Sequence, residues 1–257
     1  MREMQARLRG VLLPAALLLL WEMAARGGLI VAESMSHPSA IARAAGRAAL
    51  DGTLLAATRE TAGAALGGLV IGAGLGIVCG VAFGLSRLLS ALMRLSTETL
   101  RPIPSVALIP LALLVFGFGF RMEIAVVGFA CFWPLLIVTE SAVRGIEPRL
   151  IEVSRALGFG VVGRVVKIVL PAALPRVFVG LRLAAAVSLV VAVTVEITTN
   201  PIGLGYALIV AQESMKPDLM FAFIVWIGFL GWLLNAVLLR AQQRWFGPMG
   251  RWAEAAR

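Results

Sequence analysis

The sequence predicts an all-α polytopic membrane protein with about six transmembrane helices. Of its 257 residues, 60% are hydrophobic and the mean hydropathy is +0.94, whereas soluble domains are nearer half apolar. Several apolar stretches reach the roughly 20 residues that a spanning helix needs, and charged loops separate them. We therefore treat residues 1–257 as one transmembrane domain. Residues 1–58 hold the first span and a surface segment, and residues 59–245 form the core.

Apolar patterning places the six spans in the chain. In order, they cover about residues 8–25, 61–85, 102–120, 124–143, 177–197 and 219–239. The basic start of the first span imitates a signal peptide, but its apolar run continues past Trp21 without a small-residue cleavage site, so we expect a retained span. Residues 200–217 are expected to form an outer loop.

The segment after the first span is too polar to cross a membrane. Ser39 is expected to cap a helix in which Arg43 and Arg47 stand one turn apart, and this helix would lie along the membrane surface. His37 is interpreted as a loop residue rather than a proton relay. Cys79 and Cys131 both fall in apolar stretches, which favours small packing residues over a disulfide and leaves no set of metal ligands.

The second span carries a glycine at every fourth position, namely Gly68, Gly72, Gly76, Gly80 and Gly84. Glycines at this spacing form a ridge that another helix can approach backbone to backbone. The pattern leaves two interpretations open, which are packing within one subunit and dimerisation.

The third span contains Pro102, Pro104 and Pro110. Each proline removes a backbone donor, so the span is predicted to be a broken or distorted helix. Irregular backbone at membrane depth is tolerated where it is buried in protein or lines a water-filled path.

Residues 147–175 form a polar, basic insert between the fourth and fifth spans. Pro148 suits the first turn of a helix, and the sequence predicts a short helix over about residues 148–157. Gly158 can adopt the left-handed conformation that closes a helix. A bend and a second short helix are expected to follow, and Pro171 and Pro175 are expected to prevent one unbroken helix through this region.

Five positions in this insert have a fixed spacing, Glu152, Gly158, Ile168, Leu170 and Pro171. This spacing resembles the EAA loop of the membrane subunits of bacterial ABC importers. Val153 and Ser154 stand where the family pattern has two alanines. The segments R-P-I-P, A-L-I-P and F-G of the third span, together with the G-L-G-Y that begins at residue 203, are similar to the nitrate, sulfonate and taurine branch of these permeases.

The resemblance implies a type I importer fold and a permease subunit that gives a small oxyanion alternating access across the membrane. The insert over residues 147–175 would be the cytoplasmic coupling helix and its flanks. The residues implied to contact the ATPase are Glu152, Ser154, Ala156, Leu157, Gly158, Ile168, Leu170 and Pro171.

The resemblance also implies partners. Neither Lys167 nor Lys216 lies in a phosphate-binding P-loop, so ATP and Mg²⁺ are expected on separate cytoplasmic ATP-binding subunits. A second permease copy, as a homodimer, and a periplasmic substrate-binding protein complete the expected assembly, surrounded by membrane lipid. The net charge of +9 is spread through loops rather than gathered on one face with aromatic residues, so no nucleic-acid partner is expected.

Candidate residues of the translocation path or its gate are polar or interrupt a helix. They are Pro104, Ser105, Pro110, Ser188, Thr194, Glu196 and Asn200. Charged groups inside spans are functional candidates by default. Glu196 is interpreted either as a gate or docking residue, or as a group that snorkels or accepts hydrogen bonds from the segment after it. Arg182 is expected to snorkel or pair helices rather than bind an anion.

The distribution of basic residues predicts orientation. Sixteen Lys and Arg fall on the side of the termini, six fall on the other side, and Arg182 lies within a span. This asymmetry predicts that both termini face the cytoplasm of a bacterium whose inner membrane the chain crosses several times. An intramembrane enzyme is disfavoured, since the chain has one His and no clustered acids in its spans. A permease for a vitamin or pyrimidine precursor and a non-transporting membrane scaffold stay open as alternatives.

Overall fold

The computed structural model describes residues 2–27 and 35–255 of the chain, with side chains over residues 12–27, 35–154 and 156–245. These ranges contain helices and no strand. The helices, in chain order, are α1 (Arg2–Arg26), α2 (Pro38–Leu50), α3 (Thr53–Leu85), α4 (Arg87–Leu100), α5 (Ile109–Phe116), α6 (Phe120–Arg144), α7 (Pro148–Ala156), α8 (Val161–Arg164), α9 (Leu170–Thr198), α10 (Gly203–Glu213) and α11 (Pro217–Ala255).

Four helices in the described part of the chain are long and apolar enough to cross a membrane. They are α3, α6, the continuous helix Val161–Thr198 and the Pro217–Trp245 part of α11. The helix α4 and the segment Ser105–Phe116 meet at an angle of 86° and would add a fifth span if they cross as one. The predicted first span lies in α1, whose side chains are described only from residue 12 onwards.

The predicted break in the third span is confirmed. The chain turns after α4 and passes through a single 3-10 turn, Ser105–Leu108, before α5 begins at Ile109. Pro104 is the residue before the 3-10 turn, and Pro110 lies in the first turn of α5, where no backbone donor is needed. The prolines thus set the places where the helix stops and restarts.

The expectation that Pro171 and Pro175 interrupt the helix is wrong, because the chain is helical from Val161 to Thr198. A π-helical turn over Val165–Val169 precedes Pro171, and in it the Leu170 N–H donates to the Val165 carbonyl, five residues back. This wider turn changes the hydrogen-bond pattern just where the proline lacks its donor, so the helix continues past it.

Two local predictions outside the spans are also wrong. The cap of α2 is His37, whose Nδ1 accepts from the Ala40 N–H at 3.3 Å, while the Ser39 hydroxyl donates to Glu22 at 2.8 Å. Pro38 explains the shift, because proline favours the first helical position and so places the cap at His37. The outer segment predicted as a loop is mostly helical, since it contains α10.

The glycine ridge of α3 packs against α6 of the same chain, which confirms the interpretation of packing within one subunit. A Cβ added at Gly76 would lie 2.6 Å from the Phe132 carbonyl oxygen, and one added at Gly80 would lie 2.6 Å from the Thr139 Cβ. A Cβ added at Gly74, on the other side of α3, would meet nothing within 4 Å.

The main core lies between α3, α6 and α9. Met122, Leu135, Ala184 and Val195 are among its fully buried residues. Cys131 belongs to this core and its thiol contacts the Ala184 carbonyl oxygen at 3.4 Å, which confirms its interpretation as a packing residue. Cys79 is half-buried. A second cluster joins α2, α3, α10 and α11. These contacts place α10 against one end of the main bundle.

Candidate functional site

The insert over residues 147–175, which we call the coupling segment, is held together by Ser154. This side chain is buried, its hydroxyl donates to the Ile151 carbonyl at 2.5 Å, and its oxygen accepts from the Arg164 Nε at 2.9 Å. Arg164 also donates to the Phe159 carbonyl at 3.4 Å. The serine at position 154, where the family pattern has alanine, therefore ties α7 to α8.

Gly158 ends α7 in the way that the sequence predicts. Its φ angle is +70°, and the Phe159 N–H donates to the Ser154 carbonyl at 3.0 Å. This bond spans five residues and satisfies a carbonyl at the end of the helix, as in a Schellman motif. The predicted short helix over residues 148–157 is confirmed as Pro148–Ala156.

The coupling segment presents apolar side chains to its surroundings. Leu157 is 64% exposed and Val153 is 52% exposed, and Glu152 beside them is exposed as well. The other predicted contact residues divide into three groups: Ala156, Gly158 and Pro171 exposed, Ile168 and Leu170 half-buried, and Ser154 buried. An exposed apolar patch rimmed by polar residues is typical of a surface that a protein partner covers.

A largely buried polar network lies where α3, α9 and α10 meet, with Glu60 at its exposed edge. The first three amides of α10 have no partner within their own helix, and each donates instead to a side chain of α3 or α9. The three bonds run from Gly203 to Glu60 Oε2 at 3.0 Å, from Leu204 to Thr61 Oγ1 at 2.8 Å and from Gly205 to Glu196 Oε2 at 2.8 Å. The partially positive start of α10 thus faces two carboxyl groups and a hydroxyl.

The same network extends to α6 through Asn200. Its amide nitrogen donates to Glu123 Oε2 at 2.9 Å, and its amide oxygen accepts from the Gly119 N–H at 2.9 Å. Asn200 and Glu123 are fully buried, and Glu196 is 2% exposed. Glu196 therefore does not snorkel. It accepts a hydrogen bond from the segment that follows it, which is one of the two interpretations left open by the sequence.

The other predicted path residues occupy different settings. The Ser188 hydroxyl donates to the Ala185 carbonyl at 2.8 Å, and the Thr194 hydroxyl donates to the Val190 carbonyl at 2.7 Å, both within α9. Ser105 lines a cavity of about 410 Å³. The cavity is bounded by the chain around Ser105, by α6 and by α9. Pro104 and Pro110 do not line it and are exposed. Their roles in transport stay predictions.

Arg182 pairs helices, as the sequence predicts. Its guanidinium donates to Gln242 and to Asn235 of α11, each at 3.2 Å.

Three members of the polar network were not identified from the sequence, namely Glu60, Thr61 and Glu123. Glu60 and Glu123 each lie one residue before the predicted start of a span, so the search for charged groups within spans passed over them. The observed helices α3 and α6 begin at Thr53 and Phe120, so both glutamates lie within these helices.

Comparison with known proteins identifies the family. The family described as "Binding-protein-dependent transport system inner membrane component" matches residues 72–248. The chain belongs to this family. The matched residues of this chain include the coupling segment, Glu123, Glu196 and Asn200. The family membership expected from the loop spacing is confirmed.

Relatives of this inner membrane component are ABC transporter permeases. The putative aliphatic sulfonates transport permease protein SsuC of Bacillus subtilis is 29% identical over 235 residues, which are 91% of this chain and 85% of the relative. The bicarbonate transport system permease protein CmpB of Synechococcus elongatus is 30% identical over 259 residues, covering 95% and 92%. The fold is similar to that of the MetNI methionine ABC transporter in an inward-facing conformation, with a TM-score of 0.58, 23% identity and coverage of 82% and 99%.

Proposed function

We propose that this ABC importer permease carries a small oxyanion, such as a sulfonate, taurine or nitrate, by alternating access driven by separate ATPase subunits. The names of its relatives support an oxyanion, since they specify aliphatic sulfonates and bicarbonate. The observation that carries the coupling part of the proposal is the exposed apolar surface around Leu157, held at a fixed angle by the closure at Gly158.

In this proposal the coupling segment is seated in a groove of a cytoplasmic ATP-binding subunit, which holds ATP and Mg²⁺. Val153 and Leu157 contribute apolar contact, and Glu152 contributes a polar contact at the edge. Because the Ser154 to Arg164 hydrogen bond ties α7 to the long helix Val161–Thr198, displacement of the segment is transmitted to a membrane-crossing helix. Closure of the ATPases would favour one of two orientations of the spans by binding that orientation more tightly.

The complete assembly in this proposal contains two copies of the permease, two ATP-binding subunits and a substrate-binding protein on the outer face, with both termini of the permease cytoplasmic. Substrate selection would rest largely on the binding protein. A related importer for a vitamin or pyrimidine precursor is the second candidate within the same transport class.

The experiment compares Leu157→Arg with Leu50→Arg. Leu157 lies in the coupling segment, and Leu50, which is 90% exposed at the end of α2, is the matched control. Each variant replaces an exposed leucine with a cation, so neither should change folding. Tagged chains are purified from membranes with the candidate ATP-binding subunit co-expressed, and ATP-dependent uptake of labelled sulfonate, taurine, nitrate and bicarbonate is measured in the same cells.

We expect Leu157→Arg to abolish both co-purification of the ATP-binding subunit and uptake, and Leu50→Arg to preserve both. Retention of the ATP-binding subunit by Leu157→Arg would contradict the coupling assignment. Uptake of a vitamin or pyrimidine precursor in place of all four anions would contradict the oxyanion assignment and leave the coupling assignment standing.

A further inference from the structure

A large basic groove lies beside the coupling segment, between the ends of α3 and α6 and the start of α4 and α7. Its volume is about 740 Å³. Four arginines line it, Arg87, Arg94, Arg144 and Arg164. We call this feature the basic groove. The proposed coupling contact does not account for it, because three of the four arginines belong to α4 and α6 rather than to the coupling segment.

The positive charge of the basic groove is poorly neutralised by the described part of the chain. Arg87 makes no hydrogen bond or ion pair with any described residue. Arg94 has only an exposed contact with Glu98 at 3.7 Å. Arg144 is paired with Glu140 at 2.9 Å.

Arg164 donates to neutral acceptors, the Ser154 hydroxyl and the Phe159 carbonyl. Glu152 is the only carboxylate among the described lining residues. The groove therefore carries a net positive charge and favours an anion.

Apart from Ser90, the remaining lining of the basic groove is apolar. Leu85, Val143 and Ile146 stand where α3 and α6 end, and Ile151 lies in α7. The ends of two membrane-crossing helices mark the level at which a bilayer gives way to water. A site with arginines and aliphatic side chains at this level fits a ligand that has a charged head and an apolar body.

The helix α4 has the same division along its length. Arg87, Ser90, Ala91 and Arg94 follow a spacing of three or four residues and face the groove together. Its leucines are largely exposed, including Leu95 at 75%, and none of its residues is buried. In a membrane protein these leucines contact the acyl chains of lipids, and the face of α4 that carries Arg87 and Arg94 is then at the level of the lipid headgroups.

We propose that the basic groove binds the phosphate headgroup of an anionic phospholipid, with the acyl chains lying against α3 and the leucines of α4. Basic pockets between transmembrane helices recognise anionic headgroups in this way, and arginine suits phosphate because its planar fork donates two hydrogen bonds at once. Glu152 and Arg164 lie in both the groove and the coupling segment, so a bound headgroup contacts the joint that the ATPase is proposed to engage. The inference requires that the chain lie in a membrane, and it does not depend on transport.

The test measures lipid binding to the full-length chain purified from membranes, by native mass spectrometry with phosphatidylglycerol, phosphatidylethanolamine and inorganic phosphate. Arg87→Gln with Arg94→Gln is the groove variant, and Arg240→Gln with Arg244→Gln is the control. The control pair removes the same charge from exposed positions near the end of Pro217–Trp245, the part of α11 that can cross the membrane. Thermal unfolding of both variants checks that they are folded.

We expect the groove variant to bind phosphatidylglycerol roughly thirtyfold more weakly, since each basic residue near an anionic headgroup contributes about a factor of five. The control should stay within about twofold because Arg240 and Arg244 lie on α11 and do not line the basic groove. Phosphatidylethanolamine should bind weakly to all three proteins. Equal weakening in the control would overturn the site, since it would reduce the effect to net charge.

Two further outcomes would overturn the lipid assignment. Displacement of phosphatidylglycerol by an equal concentration of inorganic phosphate would make the groove a site for a soluble phosphate. Unchanged phosphatidylglycerol binding in the groove variant, together with loss of a co-purified ATP-binding subunit, would make it a protein-docking surface. Lipid binding is read without ATPase or substrate, so it can fail or succeed separately from the proposed transport function.

Discussion

Replacement of Gly76 by alanine tests the close contact between α3 and α6. The added Cβ would lie 2.6 Å from the Phe132 carbonyl oxygen and 2.9 Å from the Leu135 Cβ, whereas carbon and oxygen ordinarily approach to about 3.3 Å. The two helices would therefore have to separate by about 0.7 Å at this level, which is the difference between those distances. Both obstructing atoms belong to α6 near its backbone, so neither can rotate away.

Overpacking of this kind costs about 1 to 3 kcal/mol of the free energy of unfolding. Alanine also gains about 1 kcal/mol over glycine in a helix interior, and Gly74→Ala measures that gain alone, because its Cβ would meet nothing within 4 Å. The difference between the two variants therefore isolates the contact. For a chain of this size it corresponds to a difference in Tm of about 2 to 12 °C.

Thermal unfolding in detergent, followed by tryptophan fluorescence, measures both variants against the unmodified protein. We expect Gly74→Ala to unfold at the same temperature as the unmodified protein or slightly above it, and Gly76→Ala to unfold below Gly74→Ala. If Gly76→Ala unfolds at or above the temperature of Gly74→Ala, the two helices can separate without cost, and the close packing described for the glycine ridge would be wrong.

Two further predictions use matched pairs. Gly158→Ala forces a left-handed φ angle on alanine at a cost of about 1 to 2 kcal/mol, so it should weaken co-purification of the ATP-binding subunit. Gly160→Ala should leave co-purification unchanged, because the φ angle at this position is −63° and the added Cβ would meet nothing within 4 Å. Equal losses would show that the closure at Gly158 is irrelevant to docking. Asn200→Ala removes two hydrogen bonds of the buried Asn200 side chain and should lower the free energy of unfolding, measured in denaturant, by about 2 to 6 kcal/mol. Thr198→Ala removes an exposed hydroxyl that is bonded to its own helix, and should change the free energy of unfolding by less than about 1 kcal/mol. Equal unfolding free energies would argue against the buried network.

The first half of the coupling segment, α7 and its closure, could be predicted because its structure depends on local backbone chemistry. Proline at position 148 starts a helix and glycine at position 158 ends it, whatever surrounds them. The sequence could not reveal the π-helical turn, since Pro171 alone predicts a break. The turn resolves that conflict through hydrogen bonds that no residue pattern in this segment announces.

The buried network was harder to predict because it depends on contacts between distant segments. Glu60 and Glu123 are polar residues at the margin of apolar stretches, which is also how a loop begins. Glu123 is fully buried and accepts from Asn200, whereas Glu60 is exposed and accepts from the Gly203 N–H. Both contacts come from residues more than 70 positions further along the chain. Residues 200–217 were expected to form a loop, whereas Gly203 and Gly205 begin α10 and allow close approach of the Glu196 side chain.

The π-helical turn at Val165–Val169 sets a rotational register. An α-helix advances about 100° per residue, so a single additional residue accommodated in a wide turn shifts everything before it by that angle relative to everything after it. Deleting one residue from this turn would leave the sequences of α7 and α9 unchanged and would point Leu157 in another direction. The number of residues in the π-helical turn thus determines how α7 is oriented about the axis of α9.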